Sequence, residues 1–176
     1  TQTLRRVAII GGARIPFCRS NTLYADLTNL DMMSAALNGL VDKYKLKGVH
    51  IDEVVGGAVM THSRDFNLTR EAVLSTKLAT STPGVTLMQA CGTSLQAAMG
   101  SAAKIAVGDI ECAIAVGADT TSDAPIVFSK KFSQRLVKLG TQKTPLDKLK
   151  VFKGLAPAEL APVPPSVNEP RTGLSM

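Results

Sequence analysis

Val85-Thr-Leu-Met-Gln-Ala-Cys91-Gly-Thr-Ser-Leu-Gln-Ala-Ala98 is the stretch on which the reading of this chain turns. Gly84 to Leu87 is a short apolar run of the kind that forms a buried strand. From about Gly92 to Val107 a helical pattern follows in which small residues dominate. Cys112-Ala-Ile-Ala-Val116, closed by Gly117, is another buried strand. Strand, helix and strand in that order predict a unit with parallel strands. Cys91 falls at the strand-to-helix turn.

The same alternation extends upstream. Arg6-Val-Ala-Ile-Ile10 stops at Gly11-Gly12 and predicts a buried parallel strand, because both its faces are apolar. Met32, Met33, Ala36, Leu37, Leu40, Val41 and Tyr44 recur at helical spacing and predict a helix from about Asp31 to Tyr44. Val54 to Val59 reads as a strand, and Asp65 to Leu78 as a helix. The expected fold class is therefore α/β, a mixed, mostly parallel sheet with helices on both faces. After Asp119 the character changes. Phe128 to Leu139 and Leu146 to Phe152 predict basic amphipathic helices, followed by Pro157, Pro162, Pro164, Pro165 and Pro170, which exclude a long helix or a central strand. The boundary is placed near Ala124-Pro125, giving one domain over 1–124 and the start of a second over 125–176. The ending at Gly173-Leu-Ser-Met176 completes no element, and the expectation is of a truncated chain.

Composition narrows the function classes. The 176 residues are 45% hydrophobic and 19% charged, which suits a globular α/β protein. With no Trp, two Tyr and five Phe, a base-stacking platform has few candidates, and nucleic acid is not an expected partner. Three irregularly spaced Cys make neither a disulfide framework nor a zinc site, so no metal is expected and an intracellular location is. No apolar run reaches the roughly 20 residues that span a bilayer, and the first residues have no signal-peptide core.

Cys91 is the candidate nucleophile. Helix N-termini present unpaired N–H groups and the positive end of the helix dipole, and both favour a thiolate. Gly92 leaves room for a substrate and a sharp change of direction. The small residues Gly92, Thr93, Ala97, Ala98, Gly100, Ala102 and Ala103 would let the helix be packed on all sides and hold the sulfur rigidly. A structural cysteine acting as a small hydrophobe is the competing reading, and position alone does not choose between them.

The motifs go further. Cys91-Gly-Thr-Ser-Leu-Gln-Ala resembles the nucleophile motif of the thiolase superfamily, and Gly12-Ala-Arg14-Ile-Pro16-Phe17 its opening signature. Asn67-Leu-Thr-Arg70 is similar to its Asn-x-x-Arg helix, and Gly117-Ala-Asp119 to its strand end. Ala161 to Pro165 and Thr172 to Met176 resemble the branch that contains trifunctional-enzyme β-subunits.

This resemblance implies an acyltransferase that attacks a 3-ketoacyl-CoA through Cys91, releases acetyl-CoA and passes the acyl group to a second CoA, or runs the reverse condensation. Coenzyme A is then a substrate, with no permanently bound cofactor. The resemblance also implies that Met176 lines the acyl pocket and that the protein is a dimer or tetramer, in the cytoplasm or mitochondrial matrix, with a β-oxidation α-subunit as a further partner. The family's catalytic His and second Cys have no counterpart here, since His50 and His62 match neither position. Met88 departs from the Asn or Ser usual three residues before the nucleophile. A condensing synthase and a non-catalytic scaffold half remain the alternatives.

The other candidates read more plainly. Cys18 and Cys112 are expected to be packing residues, His50 a surface residue and His62 a solvated loop residue near a strand's carboxyl end. Gly11-Gly12 lacks the spacing of a dinucleotide-binding loop. Lys130 to Lys153 carries eight Lys or Arg and one acid, Asp147. That segment reads as a solvated face, as a lure for CoA phosphates, or as a membrane-surface contact through 128–153, in which Phe128, Phe132, Leu136 and Leu139 alternate with Lys130, Lys131, Arg135 and Lys138. The resemblance favours the last, as a surface that meets a membrane or a partner subunit.

Overall fold

The structure, a computed structural model, describes residues 4–175. They form two units, one ending at Asp123 and the other starting at Ala124. The first unit runs α1 (Asn29–Lys43), β1 (Glu53–Gly57), α2 (Leu68–Leu74), β2 (Gly84–Thr86), α3 (Thr93–Val107) and β3 (Ala113–Gly117). Its three strands make a parallel sheet in the order β2-β1-β3. Val54 lies opposite Gly84 on one side and Ile114 on the other. Parallel neighbours need long crossovers, and α2 and α3 supply them.

Alternation along β1 separates the two faces. Val54 and Ala58 join Met33, Leu37 and Val41 of α1 and Leu68, Ala72 and Val73 of α2 in one buried cluster. Glu53 and Gly57 point the other way, toward Lys104 and Thr93 of α3. The helices thus cover both faces. On the α3 side, the carboxylate of Glu53 accepts from Lys104 Nζ at 2.6 and 2.9 Å, which compensates a charge that is otherwise nearly buried.

Three expectations need correcting. Arg6 to Ile10 is not a strand: it carries no ladder, and Ile9 and Ile10 are 95% and 87% exposed. β2 and β3 already flank β1, and the segment is tethered at its ends instead. Arg5 N–H donates to Ala106 O at 2.8 Å, and Lys43 Nζ to Gly12 O at 2.8 Å. The predicted 65–78 helix shrinks to α2, because Asn67 caps a fresh start there, its side chain accepting from Arg70 N–H, and Ser63–Asp65 form a separate 3-10 turn. Finally, α3 is covered on one face only. Thr93, Ala97 and Ser101 are buried, whereas Leu95 and Met99 are mostly exposed.

The second unit contains β4 (Val127–Phe128), α4 (Lys130–Thr141), α5 (Pro145–Lys150) and β5 (Pro162–Val163), with β4 antiparallel to β5. Ser129 and Thr144 cap the two helices. Pro157 opens a short 3-10 turn, a place where its missing N–H costs nothing. Phe128 and Phe132 meet edge to face at 5.1 Å. Arg135 is the hub: its guanidinium pairs with Glu159 at 2.9 Å and donates to the carbonyls of Val151, Lys153 and Gly154. Arg135 is therefore withdrawn from the solvent-facing basic row to which its spacing assigned it.

The start of α1 carries a capping box, in which Thr28 Oγ1 accepts from Asp31 N–H and the Asp31 carboxylate accepts from Thr28 N–H. The Thr28 hydroxyl, and then its N–H, hold the Asp31 carboxyl below the usual carboxylate range. A depressed native value means that this stability is present above the unfolded-state value and lost as pH falls through the native one. Asp31→Asn should lower the urea midpoint at neutral pH and become neutral in effect on acidification. Thr28→Ala should cost about 1 kcal/mol. Parallel urea titrations across that pH range would check both.

Candidate active site

The carboxyl ends of the parallel strands gather the candidate residues, as expected where strand ends leave loops free to carry function. Cys91 lies beyond β2, one residue ahead of Gly92, the N-cap of α3. It is exposed. The turn around it is held from several directions. Gly92 N–H donates to Gln89 O at 2.9 Å and Thr93 N–H to Ala90 O at 3.2 Å. Thr93 Oγ1 accepts from Gln89 N–H at 2.9 Å and donates to Ala90 O at 2.8 Å. Ala90 is thereby kept at φ +44°, a left-handed conformation that costs an alanine roughly 1–2 kcal/mol. Strain of this kind persists only where neighbouring contacts over-determine it, and here it sits next to the candidate nucleophile.

The turn is seated on the sheet through two glycines. A Cβ on Gly57 would collide with Leu87 O and lie 3.1 Å from Thr93 Cγ2. A Cβ on Gly117 would collide with Ser94 Oγ. Leu87 N–H donates to Gly56 O at 2.9 Å, so the strand that leads to Cys91 follows β1 one residue past its end. The Asp119 carboxylate accepts from Val59 N–H at 2.9 Å and Met60 N–H at 3.1 Å, and Asn29 Nδ2 donates to Met60 O at 2.7 Å. The loop after β1 is thus pinned by the loop after β3 and by the start of α1.

Several sequence-singled residues take different places. His62 is not solvated: its side chain is 13% exposed, and Nε2 lies 2.8 Å from Asp123 O, which requires an Nε2–H. The Asp123 carboxylate lies 3.3 Å from the same nitrogen and pairs with Arg64. Cys112 is not a packing residue inside a strand; it precedes β3, is exposed, and its N–H donates to Asp52. Cys18 is half-buried. His50 is exposed, with Nδ1 3.0 Å from Ser81 Oγ. Met176 lies outside the described residues.

The Asn67–Arg70 pair ties α2 to β2 and is not part of the Cys91 turn. Asn67 bonds Gly84 O and Thr86 Oγ1, while Arg70 donates to the carbonyls of Thr82 and Thr80. Sequence reading missed the bracing roles of Thr93 and Asp119. Thr93 counted there only as a small residue, although a Thr just inside a helix start, able to bond back into the turn, was the available signal. Among the described residues no group of three or more His, Cys, Asp or Glu could hold a metal ion.

A family model described as the thiolase N-terminal domain matches residues 7–157. The chain belongs to the thiolase family. It is 40% identical over 171 residues to a 3-ketoacyl-CoA thiolase of Shewanella oneidensis, an alignment covering 97% of this chain and 39% of the relative. The corresponding protein of Shewanella denitrificans is 38% identical over the same length. The chain therefore spans about two fifths of these curated relatives, at 39% of their length. The thiolase fold is seen directly in the crystal structure of the Bacillus anthracis acetyl-CoA acetyltransferase, matched with a TM-score of 0.68 at 22% identity over 73% of this chain and 33% of that one.

Gly57→Ala tests whether close approach of the thiolase strands seats the Cys91 turn. Overpacking of this kind typically costs about 1–3 kcal/mol. The variant should lose stability in that range and change the alkylation rate of Cys91, with Cys112 reacting as before. Urea denaturation and peptide-level mass spectrometry after iodoacetamide pulses would read both.

Proposed function

We propose that this chain is the nucleophile-bearing portion of a 3-ketoacyl-CoA thiolase. The observation that carries this reading is the Cys91-Gly-Thr-Ser motif, standing at a braced strand-to-helix turn in a chain 40% identical to a protein of that name. The Cys91 sulfur attacks the 3-keto carbon, the bond between C2 and C3 breaks, and acetyl-CoA departs once its C2 carbon has been protonated. The acyl group remains on Cys91 as a thioester. A thiolate suits this work because the intermediate is itself a thioester, and a second CoA thiol takes the acyl group away. The reverse sequence is a Claisen condensation.

The chemistry needs a base for the thiol and an acid for the departing carbon. We assign neither to His50 or His62. His50 faces Ser81 on the surface, and His62 is engaged by Asp123. Both groups are assigned to the part of the relatives' length that this chain does not cover. Residues 125–176 are read as the start of the loop domain, with Met176 contributing to the acyl pocket. Coenzyme A is a substrate and no resident cofactor takes part. A homodimer or homotetramer in the cytoplasm or mitochondrial matrix is the working assembly, in a fatty acid β-oxidation setting with an α-subunit as partner.

For residues 128–153 the proposed role is a surface that meets a membrane or that partner. Support comes from cations with no ion-pair partner among the described residues, Lys130, Lys131 and Lys138, and from the exposed apolar residues Val137, Leu146 and Leu149. No described helix is long and apolar enough to cross a membrane, so any such contact would be peripheral.

Incubating the intact protein that carries this chain with acyl-CoA should place the acyl mass on the Cys91 peptide. Cys91→Ala should reduce thiolysis by at least about a thousandfold, as expected for loss of a nucleophile. Full thiolysis by that variant would overturn the assignment.

A further inference from the structure

We propose that the cleft between α4 and α5 receives an acidic, extended segment of a partner protein. The proposal rests on the reading of residues 128–153 as an interaction surface and names the partner's chemistry. The cleft has a volume of about 1170 Å³, above the roughly 300–1,000 Å³ usual for small-ligand pockets. Its lining carries five cations, Lys130, Lys131, Arg135, Lys138 and Lys150, against the two carboxylates of Asp147 and Glu159, a net charge of +3.

Both carboxylates are already engaged within the protein. Glu159 pairs with Arg135 at 2.9 Å, and Asp147 accepts from Lys150 Nζ at 2.9 Å and from the Thr144 hydroxyl at 2.6 Å. Lys130, Lys131 and Lys138 are exposed and have no such partner among the described residues. Lys130 and Lys131 also sit in the first turn of α4, which holds no acid, where the positive end of the helix dipole disfavours a cation. The cleft therefore presents uncompensated positive charge, and carboxylates brought to it relieve the repulsion.

The placing of the apolar groups separates this partner from a lipid surface. A helix lying in a membrane interface buries its apolar face among acyl chains. On α4 that face is already used: Phe132, Leu136 and Leu139 are half-buried within the unit, and Phe132 stands edge to face against Phe128. What α4 gives to the cleft is polar apart from Val137. Leu146 and Leu149, the exposed apolar residues of α5, do not line it. A concave, cationic and largely polar surface fits a solvated acidic chain. From Lys131 to Lys138 the helix rises about 10 Å, the length of about three extended residues. Carboxylates on alternate residues of one extended segment thus come within reach of both lysines.

The intact protein that carries this chain can be tested by fluorescence anisotropy with a labelled peptide of alternating Glu and Gly, and with the same peptide carrying Gln for Glu. Flotation with vesicles of phosphatidylcholine and phosphatidylglycerol runs beside it. The Glu peptide should bind, more weakly as salt rises, and the Gln peptide should not. Lys131→Glu with Lys138→Glu should weaken binding of the Glu peptide by at least about tenfold. Neither side chain makes a hydrogen bond among the described residues, so the fold of α4 does not depend on them. Arg6→Glu with Lys47→Glu changes the net charge equally on the first unit and should alter binding by less than about twofold. Leu146→Ser with Leu149→Ser should leave it unchanged.

A Glu peptide that does not bind, that binds equally after Lys131→Glu with Lys138→Glu, or that is weakened as much by Arg6→Glu with Lys47→Glu, sinks the acidic partner. The two readings fail separately. Vesicle binding that Leu146→Ser with Leu149→Ser abolishes, beside a Glu peptide that does not bind, removes the acidic partner and leaves residues 128–153 to a lipid surface. Absence of both peptide and vesicle binding removes the interaction surface and the proposal with it.

Discussion

The close approach of three chain segments at Gly57 is the constraint on which the Cys91 site depends. β1 lies between two parallel neighbours and can host both only because its carboxyl end presents almost no side chain toward α3. Leu87 O occupies the place that a Cβ on Gly57 would fill, and Ser94 Oγ does the same at Gly117. The segment into Cys91 and the first turn of α3 therefore lie flat against the sheet. From this seating follow the bonds of Thr93 and the forced conformation of Ala90.

Much of this frame was legible in the sequence. The strands at 54–59, 84–87 and 112–116 and the helices at 31–44 and 92–107 lie within two residues or so of where the structure has them at most ends, because each carries a run of apolar residues at the right period. Arg6 to Ile10 shows the limit of that signal. Its composition matches β1, but a strand also needs a neighbour's N–H and C=O groups, and those are a property of the whole sheet. The burial of α3 was overread for a similar reason. Small residues permit packing on every side without requiring it. His62 was expected to be solvated because its partner, Asp123, is 61 residues away and no local pattern points to it.

The second unit shows why a charge count is a poor guide to a surface. Eight Lys or Arg between 130 and 153 suggest a uniform basic face. Arg135, however, holds α4 to the stretch after α5 with three carbonyls and a carboxylate. Its planar fork can satisfy several acceptors at once, which lysine's single ammonium does not do with the same geometry. Lys150 is also partnered, by Asp147 at 2.9 Å, though that exposed pair adds little stability. What is left for an external anionic surface is six lysines, of which only Lys130, Lys131 and Lys138 lie on α4.

The contacts that orient Cys91 all come from residues before Ala124. Thr93, Gln89 and Ala90 form the turn, Gly57 and Gly117 seat it, and Asp119 and Asn29 fix the neighbouring loop. Each is a backbone group or a short side chain with few rotatable bonds, so little conformational entropy is lost in holding it. A cysteine held this way keeps its position whatever groups are brought to it. That suits the role proposed for Cys91, in which one sulfur meets two successive substrates in one geometry. It also explains why the strain at Ala90 is tolerable: Thr93 bonds the turn from within, and the glycine-lined end of the sheet seats it from beneath.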